Sequence, residues 1–187
     1  MAVWSKRPAR GAKISMFIVA GAQAHSSFKK TQLLNRLASL SSVQSIESQW
    51  IYLFDQALNE QQHQSALQLL NDGASFEVRQ AESDEIQILV TPRLGTISPW
   101  SSKATDIFAN CNTPIHRLER GVLFTLKGVS EISAEVKLAL HDRMTESVFN
   151  QIEDAAALFS ETEPKPLNSI DILGQGKDAL VKANSIS

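Results

Sequence analysis

A chain of 187 residues is long enough to form one or two small domains with a buried core. Hydrophobic residues make up 43% of it and charged residues 20%, and no run approaches the ~20 apolar residues of a membrane-spanning helix. The formal net charge of −2 gives no general case for binding nucleic acid. The single cysteine, Cys111, excludes an internal disulfide, so we expect a cytoplasmic protein without a membrane or nucleic-acid partner.

The N-terminal segment, residues 1–15, contains four basic and no acidic residues, and an apolar run follows it from Met16. This outline is similar to a signal peptide, but Gly21 interrupts the apolar run after five residues. We therefore expect residues 1–15 to be a disordered basic extension, with Met16 as the natural start of the folded part.

The first half of the chain predicts strand, helix, strand and helix. A strand at 16–20 precedes a helix capped by Ser26 or Ser27, and an extended stretch covers 43–54. Asn59 caps a polar helix that ends at 71–73. The apolar face of the first helix is expected to consist of Phe28, Leu33, Leu34, Leu37 and Leu40.

The segment 91–107 is the most specific part of the sequence. The strand predicted at 85–90 is stopped by Pro92 and Gly95, Ser98 is a good N-cap, and Pro99 suits the first helical position. The first turn of this helix is expected to expose Ser101, Ser102 and Lys103. Its apolar stripe, in which Cys111 is expected to be a buried core thiol, comprises Trp100, Ala104, Ile107, Phe108 and Cys111.

The second half predicts an apolar central strand at 121–126 and a helix from the cap Ser133 to Leu140. A helical core stripe is then expected at Met144, Val148, Ile152, Ala155 and Phe159, followed by a linker at 160–166 and a helix at 174–183. The predicted fold is α+β, with two layers and helices on one face of a mostly antiparallel sheet.

No arrangement of residues predicts catalysis by this chain alone. His25, His63, His116 and His141 lie in different elements without metal-ligand spacing. The adjacent pairs Glu119-Arg120 and Asp142-Arg143 could form interfacial ion pairs, although most such charges lie on the surface. The free N–H groups at the Ser98 helix start are compatible with an anion or partner site and equally with an ordinary helix cap.

Several blocks, in one order, resemble a known family. TPRLGTISPWSSKATDIFANC (91–111) closely resembles a signature near the N-terminus of phosphoribosylformylglycinamidine synthase, the glutamine-dependent amidotransferase of purine synthesis, in its large single-chain form. HRLERGV (116–122), LHDRMTESVF (140–149) and IDILGQGKDAL (170–180) are also similar to family blocks. The resemblance covers roughly residues 16–184. It departs at Leu94, where the family often has a second proline, and after residue 184.

The resemblance implies a PurS-like N-terminal domain at 16–159, similar to a dimer of the small PurS subunit and hence built of pseudo-duplicated halves. Residues 160–187 would be a linker and the truncated start of a helical linker domain, so the chain is expected to be a fragment. The whole enzyme, a carbon–nitrogen ligase, would convert formylglycinamide ribonucleotide to its amidine with ATP, Mg and glutamine. This part would be non-catalytic, bind no cofactor, and dock the synthetase and glutaminase domains to couple ammonia transfer.

The loop of 91–103 is the expected coupling surface. Arg93 and Lys103 would contact carboxylates or phosphate, and Trp100 would hold the junction by burial. The expected hydrogen-bond donors are Thr96, Ser98, Ser101 and Ser102. A different class of function stays open, namely a free-standing α+β regulatory module that binds a small anion or nucleotide at the Ser98 helix start.

Overall fold

A computed structural model of the protein describes residues 16–160 and, beyond them, Ile170, Gly174, Gly176, Lys177, Val181 and Asn184. The predictions for the extension 1–15, for most of the linker after residue 160 and for most of the helix at 174–183 fall outside the described residues. The described part has a β-α-β-α order that occurs twice and is followed by a short strand and a 3₁₀ helix.

The first half consists of β1 (Phe17–Gln23), α1 (Ser27–Ala38), β2 (Ser45–Phe54) and α2 (Glu60–Asn71). The second half consists of β3 (Glu85–Pro92), α3 (Pro99–Asn110), β4 (Leu118–Lys127) and α4 (Ala134–Leu140). The strand β5 (Glu146–Phe149) and the 3₁₀ helix (Glu153–Phe159) complete the described elements.

All four α-helices begin at side-chain caps that the sequence predicts. Ser26, Asn59, Ser98 and Ser133 each accept a hydrogen bond from the backbone N–H three residues later. At α2 the side chain of Gln62 also accepts from the backbone of Asn59, which makes a capping box. These caps fix the helix starts, so the junctions between strands and helices are well defined.

The five strands form one antiparallel sheet in the order β1-β2-β4-β3-β5. The central pair, β2 and β4, is in register over ten residues in each strand, from Ser45 opposite Lys127 to Phe54 opposite Leu118. The two halves therefore join through their second strands, and each half adds its first strand on the outside. This arrangement confirms the predicted α+β class with its antiparallel sheet.

The four α-helices cover one face of the sheet. Tyr52 and Phe54 of β2 pack with residues of α2 and α3, whereas Ile46 on the same face packs with α1 and α4. The opposite face carries Ile51 and Leu53, and the 3₁₀ helix partly covers it with Ala155, Leu158 and Phe159. Helices on one face of the sheet are thus as the sequence predicts.

The predicted helical stripe from residue 144 to 159 is wrong. Glu146–Phe149 is the edge strand β5, and Met144 before it is 73% exposed. Val148 packs against the core beneath α1 and α4, but Ile152 and Ala155 pack on the opposite face of the sheet. A spacing of three and four residues fits one helix in the sequence, yet here the chain distributes these side chains over two faces.

Two further burial predictions fail. Of the apolar face expected for α1, Phe28 is 71% exposed, Leu40 lies beyond the end of the helix and is 45% exposed, and only Leu37 is fully buried. Cys111 is exposed because it is the C-cap of α3, where the backbone leaves the helix and Asn112 takes a positive φ of 57°. The chain then buries Thr113 in place of the expected thiol.

Candidate functional site

The loop between β3 and α3 contains the residues that the sequence singles out. Gly95 takes a φ of +76°, a left-handed conformation that a residue with a Cβ atom adopts at a cost. Thr96 closes this turn, since its hydroxyl donates to the carbonyl of Arg93 at 2.6 Å and its N–H donates to the same oxygen at 3.3 Å. The loop is therefore a defined turn in the described structure.

The loop is hydrogen-bonded to the segment that leads into β5. The backbone N–H of Arg93 donates to the carbonyl of Thr145 at 2.9 Å, and its guanidinium Nη1 donates to the carbonyl of Met144 at 3.3 Å. The N–H of Leu94 donates to Ser147 Oγ at 3.1 Å. These bonds join residues 93–96 and 144–147 into one surface.

A buried carboxylate holds the end of the loop. Glu119 is 0% exposed and accepts from the N–H of Ser98 at 3.2 Å and from the hydroxyl of Ser98 at 2.7 Å. The same hydroxyl oxygen accepts from the N–H of Ser101 at 3.0 Å as the cap of α3. The protein's own carboxylate thus lies at the positive end of this helix, where a bound anion would otherwise be stabilised.

Arg117 completes this network. Its Nη2 lies 2.7 Å from the Glu119 carboxylate and donates to the carbonyl of Thr96 at 2.8 Å, while Nη1 donates to the carbonyl of Leu158 at 3.1 Å. Its guanidinium also lies over the ring of Phe159, 5.3 Å from the centroid. The loop, the start of β4 and the end of the 3₁₀ helix are therefore fastened to one another.

Sequence reasoning missed this network, because it treated Glu119 as a member of an adjacent surface pair with Arg120. Alternation along β4 instead places Glu119 and Arg120 on opposite faces, and Arg117, just before the strand, lies on the side of Glu119 and pairs with it. The signal that could have revealed the pair is their spacing of two residues at the start of an otherwise apolar strand.

The predicted site residues differ in their accessibility. Arg93, Thr96, Ser102 and Lys103 are exposed, whereas Ser98 is half-buried. The expectation that Ser101 is exposed is wrong, because it faces the core at 1% exposure, and its hydroxyl has no hydrogen-bond partner within the described residues.

Trp100 is half-buried and makes two stacking contacts. Its ring stacks on Tyr52 at a centroid distance of 6.0 Å, and the Arg120 guanidinium lies 4.8 Å from its ring centroid. Trp100 therefore connects the first turn of α3 to both central strands.

Large apolar side chains project from the same surface. Leu94 is 43% exposed and Ile97 is 62% exposed, and the 73% exposed Met144 belongs to the segment bonded to Arg93. Exposed apolar groups next to one another, among polar residues, are typical of surfaces that contact another protein domain. We call Arg93, Leu94, Thr96, Ile97 and Met144 the loop surface.

The rest of the described structure was compared with the requirements of a metal site, a ligand pocket and a membrane span. No three side chains of His, Cys, Asp or Glu there come close enough together to hold a metal ion. A groove of about 360 Å³ on the opposite face of the sheet is lined by apolar and amide side chains, with Glu153 as its one ionisable group. None of the described helices has the length and apolar character needed to cross a membrane.

Comparison with protein families matches the chain to the model described as Formylglycinamide ribonucleotide amidotransferase N-terminal, over residues 47–159. The match covers more than half of the 187 residues and includes the loop surface, Arg117 and Glu119. It begins within β2 and ends on the last residue of the 3₁₀ helix. The chain therefore belongs to the family of N-terminal domains of formylglycinamide ribonucleotide amidotransferase, an enzyme of purine biosynthesis.

Proposed function

We propose that this domain is a non-catalytic part of a phosphoribosylformylglycinamidine synthase, an ATP-dependent ligase, and that it docks the synthetase and glutaminase domains. In this proposal the domain helps to couple glutamine hydrolysis to the use of ammonia at the acceptor site. The observation that supports it best is the loop surface, which combines three exposed apolar side chains with a rigid hydrogen-bonded base. The domain itself binds neither ATP nor Mg in this proposal and acts in the cytoplasm.

Coupling needs a surface of this kind for a physical reason. Ammonia released by one active site must be shielded from water on its way to the other, which requires closely packed domains. It must also be released only when the acceptor is ready, which requires a contact whose geometry responds to a neighbouring domain. A braced loop transmits a displacement better than a free one, since the hydrogen bonds to Glu119 and Thr145 tie its movement to β4 and β5.

Within this proposal the exposed residues make the contacts. Arg93 and Lys103 bind carboxylate or phosphate groups of the neighbouring domains, and Thr96 and Ser102 donate hydrogen bonds. Ser98, Ser101 and Trp100 lie behind them and support the surface. The alternative of an anion-binding module at the Ser98 helix start receives no support, because Glu119 already occupies the position of the anion.

The test uses the amidotransferase that carries this domain, with Lys103→Ala and Ile97→Asp variants. Glutamate release and amidine formation are measured separately in each. We expect amidine formation to fall several-fold while glutamine hydrolysis is largely retained, because uncoupled ammonia escapes to solvent. Purified alone, the chain is expected to show neither glutaminase nor ATPase activity.

Lys29→Ala is the matched control, since Lys29 is an exposed lysine in the first turn of α1, the counterpart of α3 in the other half. We expect it to leave the ratio of the two activities unchanged. Proportional loss of both activities in a folded Lys103→Ala enzyme would contradict the coupling role, as would an unchanged ratio in the Ile97→Asp enzyme.

A further inference from the structure

Arg120 lies on the helix-covered face of β4, directly opposite Tyr52 of β2. Its guanidinium carbon is 4.6 Å from the ring centroid of Trp50 and 4.8 Å from that of Trp100. Contacts of this type attract the cation to the ring faces and use the face of the planar guanidinium. The N–H donors, which lie in the guanidinium plane, remain free for another group.

The N–H donors of Arg120 have no acceptor among the residues that the structure describes. Arg120 makes no hydrogen bond or ion pair with any of the residues described, although it is half-buried. Arg117, three residues earlier and just before β4, instead donates to two carbonyls and pairs with Glu119. None of the Arg120 nitrogen atoms is among the polar atoms that are closed off from solvent, so its five N–H donors are open to an acceptor that comes from outside.

The hydroxyl of Tyr52 is the second free polar group here. Within the described structure it has no hydrogen-bond partner, and it is not among the polar atoms that are closed off from solvent. Burial raises the pKa of Tyr52 above its usual value, and the nearby positive charge of Arg120 partly offsets this rise. A neutral hydroxyl donor therefore stands beside a fixed cation.

Tyr52 and Trp50, which lie beside Arg120, pack closely against Gly21 of β1. A Cβ atom on Gly21 of β1 would lie 2.7 Å from the Tyr52 ring and 2.9 Å from Trp50 Cβ, so only glycine permits this approach. The stacking of Trp100 on Tyr52 closes the other side. The donors are thus pre-organised, which lowers the entropic cost of binding a ligand.

We propose that Arg120 and Tyr52, with Trp50 and Trp100 as the walls, form a binding site for an oxyanion, that is, a carboxylate or a phosphate group. The planar fork of the guanidinium matches two oxygens of such a group. The Tyr52 hydroxyl donates to one of them. This site is distinct from the loop surface and does not depend on the docking role.

Tryptophan fluorescence reports on the site directly. The sequence has three tryptophans, so a Trp4→Phe background leaves only the two indoles that contact Arg120. Inorganic phosphate and sodium acetate are titrated separately, with sodium chloride at matched ionic strength as the reference. We expect a saturable change with at least one oxyanion and none with chloride.

Arg120→Lys keeps the charge but loses the planar fork, so we expect half-saturation to move about tenfold or more toward higher concentration. Tyr52→Phe removes only the hydroxyl and should weaken binding a few-fold while the fold is retained. Arg36→Lys is the matched control on an exposed arginine of α1 and should bind as the parent does.

Each outcome decides the proposal. Saturation by phosphate alone assigns a phosphoryl ligand, and saturation by acetate alone or by both anions assigns a carboxylate or a general oxyanion site. A response equal to that of chloride overturns the proposal. So does a folded Arg120→Lys or Tyr52→Phe variant that binds every anion as tightly as the parent.

Discussion

Replacing Glu119 by alanine should destabilise the domain more than replacing any exposed carboxylate. The change leaves the Arg117 guanidinium, whose side chain is 18% exposed, without its charged partner, and it removes the acceptor of two donors of Ser98. Breaking a buried ion pair by removing one partner costs about 3–5 kcal/mol. Because small domains are stable by only about 5–15 kcal/mol, this loss is a large share of the total.

Urea unfolding followed by circular dichroism measures the effect. With a slope of about 2 kcal/mol per molar urea, the midpoint should fall by about 2 M. Glu119→Gln keeps the shape and one acceptor oxygen, so we expect a smaller loss of about 1–3 kcal/mol. Replacing Arg117 and Glu119 together by apolar residues should recover part of the stability lost in the single variant, because no buried charge is then left unpaired.

Glu47→Ala is the control, since Glu47 forms a 2.8 Å ion pair with Lys30 and its side chain is 48% exposed. Exposed pairs contribute about 0–1 kcal/mol, so this variant should unfold close to the parent. If Glu119→Ala and Glu47→Ala had the same urea midpoint, the Glu119 carboxylate would not hold Ser98 and Arg117 in the native protein, and the loop would not be braced through it.

Cys111 is exposed, so a thiol reagent should modify it in the native protein. Labelling only after unfolding would show instead that the thiol is buried, as the sequence predicts. Burial, and then the charge of Lys29, hold the pKa of His25 below its usual 6.5; proton NMR should show this, and a pKa at or above 6.5 would contradict it. Since the folded state resists this protonation, the His25 contribution to stability is fully present above pH 6.5 and is lost as the pH falls through the folded pKa. Gly95→Ala places a Cβ atom at a φ of +76° without any neighbour within 4 Å, so strain alone should cost about 1–2 kcal/mol of unfolding free energy, and an unchanged urea midpoint would refute this.

The sequence predicts the elements of this fold well where local rules decide them. The cap residues Asn59, Ser98 and Ser133 fix helix starts by hydrogen bonds within three residues, and all three occur as expected. The central position of β4 follows from its apolar run, because a strand covered on both faces has few polar positions.

The failures come from contacts that are distant in the sequence. Whether Val148 belongs to a helix or to an edge strand depends on pairing with β3, more than fifty residues earlier, which apolar spacing does not encode. Glu119 resembles a surface charge until the fold brings Ser98 and Arg117 to it. Ser101 is buried and Cys111 is exposed, the reverse of what the sequence predicts, because the direction of α3 over the sheet is set by tertiary packing.

The ten-residue ladder between β2 and β4 also has a consequence for how the chain can be divided. A cut in the connection between α2 and β3 would give one piece with β1 and β2 and another with β3, β4 and β5, each with its longest strand, β2 or β4, at an open edge. Such an edge presents unpaired N–H and C=O groups together with buried-type side chains, and it pairs readily with another strand. The two pieces would therefore reassociate with each other, pair with copies of themselves, or aggregate, and the covalent connection is what makes the correct pairing the fastest one.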